Sequence, residues 1–205
     1  MSNILIAILA YLIDKRFGEF TFMVHPLSHV REMTSYFQEN YFKNTLIRGL
    51  AHLTFVIGVV SFFIICVTLF LLQTPLVVNI IVSSLIAAMF LSNATAEKSI
   101  KALFKKEHKK QTFSSLAKRD ANVKSLNDAV VAPLLYLLLF GLPGIVIYKS
   151  INILTQELRS KKRDNKLYAK SAKVLNDGLN FLPSRSIALL LILMDKRKTK
   201  LTTQS

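Results

Sequence analysis

The chain has 205 residues, of which 52% are hydrophobic and 19% are charged, below the roughly 25% charged residues of typical soluble domains. Its 27 Lys and Arg residues against 12 Asp and Glu residues give a net charge of +15. No zinc-finger, RRM-like or helix-turn-helix signature accompanies this excess, so we expect no nucleic-acid partner. The excess fits the positive-inside rule and anionic lipid headgroups instead. The single cysteine, Cys66, excludes an internal disulfide.

The first apolar stretch, residues 4–13, is too short to span a bilayer as a helix. No basic residue precedes it, whereas Lys15 and Arg16 follow it. Because a secretory signal has the reverse order, we expect no cleaved signal peptide.

The next two apolar stretches predict a transmembrane hairpin. Residues 51–72 would form a helix of about 33 Å, which covers a hydrocarbon core of about 30 Å. Residues 73–75, Gln-Thr-Pro, supply a tight turn, and residues 76–93 return. No Asp, Glu, Lys or Arg occurs between Gly49 and Ala96.

The fourth apolar stretch, residues 129–148, is long enough to cross but is interrupted by turn residues. It contains Pro133 and a Gly-Leu-Pro-Gly run at 141–144. Bent backbone at membrane depth is tolerated only where protein or a wet cavity surrounds it. We therefore expect a re-entrant or broken segment here, and we expect the bend to form part of a site wall.

The distribution of basic residues favours this bend. If the 73–75 turn lies outside, segments 14–48 and 97–128 are cytoplasmic loops, with five and nine Lys or Arg residues. A simple crossing by the fourth stretch would place the eight basic residues of 149–180 outside. A re-entrant hairpin returns segment 149–180 to the cytoplasmic side. A plain fourth span is the alternative, because the positive-inside rule is statistical.

The remaining segments are also helical in pattern. The fifth stretch, residues 181–194, is short and contains Pro183 and Arg185. Segments 97–110 and 166–180 place apolar residues on one helical face among lysines. With no internal repeat and no strand alternation, the sequence predicts an all-α, single-domain helical bundle over residues 1–205. We expect a multi-pass protein of the inner (cytoplasmic) membrane, with the lipid bilayer as its first partner.

Familiar phosphate, dinucleotide and metal motifs are absent from the sequence. His25 and His29 have the i, i+4 spacing of a helical metal pair. However, the proline after His25 disfavours the α region there, so we expect no metal between them. Arg185 is ionisable within an apolar stretch, which makes it a functional candidate. Alternatively, it reaches lipid headgroups or pairs with Asp177 or Asp128.

Several short motifs occur in a recognisable order along the chain. They are His25-Pro26, Arg119-Asp120, the stretch from Asp128 to Asn152 that contains A-P and G-L-P-G, and N-D-G-L-N-F-L-P-S-R at 176–185. Together they resemble the CbiB/CobD family, the membrane proteins of cobalamin biosynthesis termed adenosylcobinamide-phosphate synthases. The family pattern reads roughly D-G-V-V-A-P, G-L-P-G, Y-x-x-x-N-T-x-D-S and D-D-x-x-N-x-x-P-A-R.

The resemblance implies ATP-dependent amide formation between the carboxylate of adenosylcobyric acid and the amine of aminopropanol or its phosphate. It implies ATP and Mg²⁺ as cofactors and corrinoid and phosphorylated amino alcohol substrates as partners. By that analogy Asp128 and Asp177 face metal or amine, and Arg185 serves anionic groups. These three are the implied catalytic residues. The implied substrate-binding residues, with no metal ligand assigned, are His25, Arg119, Asp120, Asn152 and Asn180.

The chain also departs from the family pattern. Lys124 stands where the family usually has a glutamate, and Thr155 falls in a segment that lacks the acid of N-T-x-D-S. Asn176-Asp177 replaces the paired acids, and segment 97–128 is shorter than usual. Loss of carboxylates can remove a divalent-cation site. A non-catalytic relative, similar to the distantly related AmpE family, is therefore the second hypothesis, and a basic membrane scaffold without a ligand is the third.

Overall fold

A computed structural model describes residues 2–17, 26–91, 93–104, 113–160 and 166–189. Every regular element in these ranges is a helix and no strand occurs in them, so the predicted all-α class is confirmed there. Residues 181–189 are again helical, while the rest of the fifth apolar stretch lies outside the described ranges. The elements are α1 (Ser2–Phe17), α2 (Pro26–Tyr41), α3 (Leu46–Leu72), α4 (Leu76–Met89), α5 (Asn93–Phe104), α6 (Phe113–Leu126), a π-helical turn (Asn127–Val131), α7 (Ala132–Ser160) and α8 (Lys166–Leu179).

Helices α3 and α4 form a hairpin around residues 73–75. Side chains of the turn and of the first turn of α4 donate to a backbone carbonyl at the end of α3. Thr74 Oγ1 donates to the Leu71 carbonyl oxygen at 2.7 Å, and Asn79 Nδ2 donates to the same oxygen at 2.8 Å. Backbone groups at a helix end need such partners wherever water is scarce.

Within the described ranges, two helical stretches are long and apolar enough to cross a membrane by length and composition. They are α3, Leu46–Leu72, and the stretch Asp120–Arg159, which is interrupted by a kink at Gly141. Most side chains of α3 are exposed, and Phe70 is 67% exposed. A wide apolar surface of this kind is unusual on a monomeric soluble protein.

Helix α7 is folded back on itself at Gly141, at the start of the predicted turn. Gly141 has φ 67° and ψ −154°, a conformation that residues with a Cβ rarely adopt. The rings of Tyr136 and Tyr148 stack with centroids 4.9 Å apart. In a straight helix these residues would lie about 18 Å apart along the axis. The arms before and after Gly141 therefore run side by side.

Where they are described, the segments predicted as basic loops are largely helical. Helix α8 lies within the predicted 166–180 segment and packs against α3 and α7. Its Tyr168 is buried and its hydroxyl lies 2.9 Å from Nδ1 of His52 in α3. Burial raises the pKa of Tyr168 to about 12, so the hydroxyl stays neutral. Helix α5 begins at Asn93, four residues before the predicted start.

Candidate functional site

The π-helical turn Asn127–Val131 carries Asp128 at the junction of α6 and α7. Lys149, on the second arm of α7, donates from Nζ to the main-chain oxygen of Asp128 at 2.8 Å. Lys149 is only 8% exposed. A buried ammonium needs compensation of this kind, and π turns often occur at functional sites. The fold-back at Gly141 is what brings Lys149 and Asp128 together.

A network of amides and one hydroxyl joins the second arm of α7 to the start of the last helical segment. Tyr148 donates its hydroxyl to Asn180 Oδ1 at 2.8 Å, and Asn127 Nδ2 donates to the same oxygen at 2.6 Å. Asn152 Nδ2 donates to the Tyr148 hydroxyl at 3.2 Å, and Gln156 Nε2 donates to Asn152 Oδ1. Buried networks with this many partners hold their members in fixed positions.

The larger of two neighbouring cavities has a volume of about 890 Å³ and lies between α1, α2, α6 and the second arm of α7. This size is in the range of sites for small molecules and cofactors. Its charged lining residues are the cations Arg31, Lys124, Lys149 and Arg159 and the acids Asp14 and Asp128.

The smaller cavity has a volume of about 420 Å³ and also borders Asp128. Lys124 and Asp128 line both cavities. Three carboxylates contribute to the smaller one, so the two cavities differ in charge. Its charged lining residues are Asp120, Lys124, Asp128, Asp177 and Arg185.

The structure brings together most of the residues implied by the family resemblance. Around the smaller cavity lie Asp120, Asp128, Asp177, Asn180 and Arg185. Asn152 is buried and lines the larger cavity. Arg119 belongs to α6, but its side chain lies outside the described part of the structure, as does all of His25.

Arg185 does not form the ion pair with Asp177 or Asp128 that was one alternative from the sequence. Its guanidinium carbon lies 3.8 Å above the ring centroid of Phe181, a cation–π contact. Among the described residues, no carboxylate of Asp128 or Asp177 is paired with it. The guanidinium keeps its hydrogen-bond donors at the cavity wall, so it could contact an anionic group there.

Lys124 and Thr155, the two positions where the resemblance suggests acids, have different surroundings. Lys124 is exposed at the junction of the cavities. Thr155 is 3% exposed, and its hydroxyl lies 2.8 Å from the Ile151 carbonyl oxygen and 3.2 Å from that of Ala172. These contacts tie α7 to α8, so Thr155 has a structural role.

Sequence reasoning missed Lys149 and Tyr148 as parts of this site. It placed Lys149 in a basic loop and Tyr148 at the end of an apolar stretch. A hairpin bent at 141–144 brings residues after the bend alongside those before it. That geometry was the signal that could have directed attention to both side chains.

The chain is similar to curated proteins of cobalamin biosynthesis. The model of the family described as CobD/Cbib protein matches residues 7–204. The "Probable cobalamin biosynthesis protein CobD" of Pyrococcus furiosus is 29% identical over 216 residues, covering 93% of this chain and 73% of that protein. Proteins of the same description from Methanococcus maripaludis and Methanocaldococcus jannaschii are 28% and 29% identical, each covering 94% of this chain and 72% of the relative. No solved structure matches the chain significantly.

Proposed function

Because the chain belongs to the CobD/CbiB family, as its motifs predicted, we propose that it is a membrane ligase of cobalamin biosynthesis. The proposed reaction joins the carboxylate of adenosylcobyric acid to the amine of aminopropanol or its phosphate, with ATP as the activating substrate. One observation carries the proposal beyond family membership. Two cavities of different charge meet at Lys124 and Asp128, as a reaction between an anionic and a cationic group requires.

The exposed apolar surface supports a location in the membrane. Helix α3 is 27 residues long, about 40 Å, and its phenylalanines at 62, 63 and 70 are exposed. Exposing such side chains to water is unfavourable by about 25 cal/mol per Å² of apolar surface. A bilayer of the cytoplasmic membrane would cover this surface. The fold-back at Gly141 would return residues 149–180 to the side from which α7 enters.

The residues around Asp128 fit the chemistry of amide formation. The amine nitrogen attacks the activated carboxyl carbon, a C–N bond forms, the activated oxygen leaves with phosphate, and the nitrogen loses a proton. The Asp128 carboxylate is the group we assign to hold the ammonium and accept the proton that it loses before attack, while the proton released on C–N bond formation goes to the departing phosphate or to water. Asp177 and Asp120 add negative charge on the amine side, and Arg185 offers its guanidinium to an anionic group.

The carboxylates in the cavities fit only a Mg²⁺ ion that is also bound by phosphates. In the described ranges, no group of three His, Cys, Asp or Glu side chains could hold a metal ion. A phosphate-bound Mg²⁺ needs one or two protein carboxylates, and Asp14 and Asp128 line the same cavity. Such an ion would neutralise charge on the phosphate oxygens.

The surroundings of Thr155 favour a second candidate, a non-catalytic membrane relative of the AmpE kind. The resemblance suggests an acid in the segment that contains Thr155, yet the hydroxyl is buried against two backbone carbonyls. At Lys124 an ammonium stands in place of a carboxylate. A protein that binds a ligand without ligating it would retain the cavities and tolerate both changes.

Growth complementation tests the proposed reaction. The chain would be expressed in a bacterial strain that lacks its own CbiB/CobD protein, requires cobalamin and is fed adenosylcobyric acid. We expect growth with the wild-type chain. No growth, with the protein present in the membrane by immunoblot, would favour the non-catalytic relative.

Single substitutions test the assigned residues in the same strain. We expect Asp128→Ala and Arg185→Ala to abolish growth, since loss of an acid–base group or of a charged donor that stabilises developing negative charge typically lowers a rate by about 100-fold or more. The matched control is Glu97→Gln, which removes an exposed acid of α5 that pairs with Lys101. Growth should persist in the control. If both alanine variants fail to accumulate in the membrane, the two residues are structural and the site assignment is wrong.

A further inference from the structure

Among the described residues that line it, the larger cavity has an excess of cationic side chains over carboxylates. Of its four cations, Arg31 lies 3.2 Å from Glu157 and forms an ion pair, which partly neutralises it. Lys124, Lys149 and Arg159 form no ion pair with a carboxylate in the described part of the chain, although Asp128 and Asp14 are near enough to interact electrostatically with Lys149. The acids of this cavity are Asp14 and Asp128.

Lys149 is the buried member of this set. An ammonium has three N–H donors, and the described residues account for one of them, in the bond to the Asp128 carbonyl. The described residues offer the other two donors no hydrogen-bond partner. Because Lys149 is 8% exposed, the unused donors carry a desolvation cost that a ligand with oxygen acceptors would offset.

Asn176 is a second buried group with an unmet hydrogen bond in the same cavity. It lies in α8, lines the cavity and is 4% exposed. Its Oδ1 is buried, and no donor among the described residues reaches it. A buried amide without a hydrogen-bond partner is unfavourable, and a bound ligand or an ordered water usually supplies the missing donor.

We propose that the larger cavity is the binding site for a phosphate-bearing ligand, with Lys149 as its buried anchor and Arg159, Lys124 and Asn176 as further contacts. Phosphate oxygens accept charge-assisted hydrogen bonds from lysine and arginine. The smaller cavity, with three carboxylates, disfavours the same ligand. The nature of the ligand rests on the proposed function, which supplies ATP and a phosphorylated amino alcohol as sources. A phospholipid headgroup has the same chemistry.

Direct binding to the purified full chain tests this site. The protein would be held in a neutral detergent, and inorganic tripolyphosphate would be titrated in by calorimetry. We expect saturable binding that Lys149→Met weakens by about 10-fold or more, as is typical for loss of a hydrogen bond to a charged group. Arg159→Gln, at an exposed position in the last turn of α7, should weaken binding by about 3-fold or more without affecting folding.

Lys101→Gln is the matched control, because Lys101 is an exposed cation of α5 outside both cavities. Its affinity should stay within about 2-fold of wild type, as for a surface charge remote from the site. Absence of saturable binding by the wild-type chain, or an equal loss in Lys101→Gln, would overturn the proposal. If Lys149→Met fails to fold, comparing the affinity of Arg159→Gln with that of Lys101→Gln still tests the proposal.

Competition identifies the source of the phosphate. Displacement of tripolyphosphate by ATP points to a nucleotide, displacement by aminopropanol phosphate points to the amine substrate, and displacement by phosphatidylglycerol in mixed micelles points to lipid. The assay needs no corrinoid, so it separates the two proposals. Growth without tripolyphosphate binding would overturn only the phosphate site, whereas binding without growth would overturn only the ligase.

Discussion

Tyr148 is the residue on which the polar network depends. It donates to Asn180 and accepts from Asn152, so Tyr148→Phe removes the acceptor of the buried Asn152 amide and one of two donors to the half-buried Asn180. We expect destabilisation by about 1–3 kcal/mol. That loss would lower the thermal unfolding midpoint by several degrees, since about 2–4 °C corresponds to 1 kcal/mol at this size. Circular dichroism of the protein in detergent would measure it.

Tyr36→Phe is the control, because Tyr36 is 62% exposed on α2. Its midpoint should change by no more than the equivalent of about 0.5 kcal/mol. An unchanged midpoint in Tyr148→Phe would mean that the network contributes nothing to stability.

From the sequence alone, only those site residues that belong to a recognisable motif could be predicted. Asp128, Asp177 and Arg185 follow from short motifs, and the structure places all three around one cavity. Lys149 could not be found in this way. Its role depends on a hydrogen bond to a backbone carbonyl 21 residues earlier, and that contact exists only after α7 has folded back.

The bend in α7 is the element on which the geometry of the site depends. Gly141→Ala would force a Cβ into a φ, ψ combination that is almost confined to glycine, at a cost of about 1–3 kcal/mol. The space around Gly141 is open enough for a methyl group, so backbone strain is the cause. We expect a lower unfolding midpoint and weaker binding in the larger cavity, measured by circular dichroism and calorimetry.

Gly58→Ala is the matched control for this change. Gly58 lies within α3, and a Cβ added there would meet nothing within 4 Å. Alanine is the better helix former by about 1 kcal/mol, so the midpoint should stay the same or rise. Equal destabilisation by the two substitutions would contradict a special role for Gly141.

Hydropathy and turn residues predicted the α3–α4 hairpin and the break within 141–144. They did not give the start of α3, which begins at Leu46, five residues before the apolar stretch. The first turn of α3 contains Arg48, so it interrupts the apolar run from which the helix was predicted. The π-helical turn at Asn127–Val131 could not be predicted either, because its side-chain and backbone contacts come from distant segments.

At the scale of the whole molecule, the fold-back predicts the membrane topology. In a Cys66→Ser background, an impermeant maleimide added to intact cells should label Gln73→Cys. Lys101→Cys and Lys173→Cys should react only after permeabilisation, because a fold-back at Gly141 leaves both on the cytoplasmic side. All three positions are exposed. Labelling of Lys173→Cys from outside would favour a plain fourth span.

The contact between Asn3 and the bend of α7 has a consequence for the order of assembly during synthesis. Asn3 Nδ2 donates to the carbonyl oxygen of Leu138 at 3.4 Å, across 135 positions of sequence. At about 5–20 residues per second, the ribosome completes Leu138 roughly 7 to 27 seconds after Asn3. Helix α4 is synthesised earlier and can pack against α1 first, whereas α7, which also contacts α1, is synthesised later. Until then, part of the α1 surface that the complete fold buries lacks its final partner, and a bilayer or an insertion chaperone would cover it.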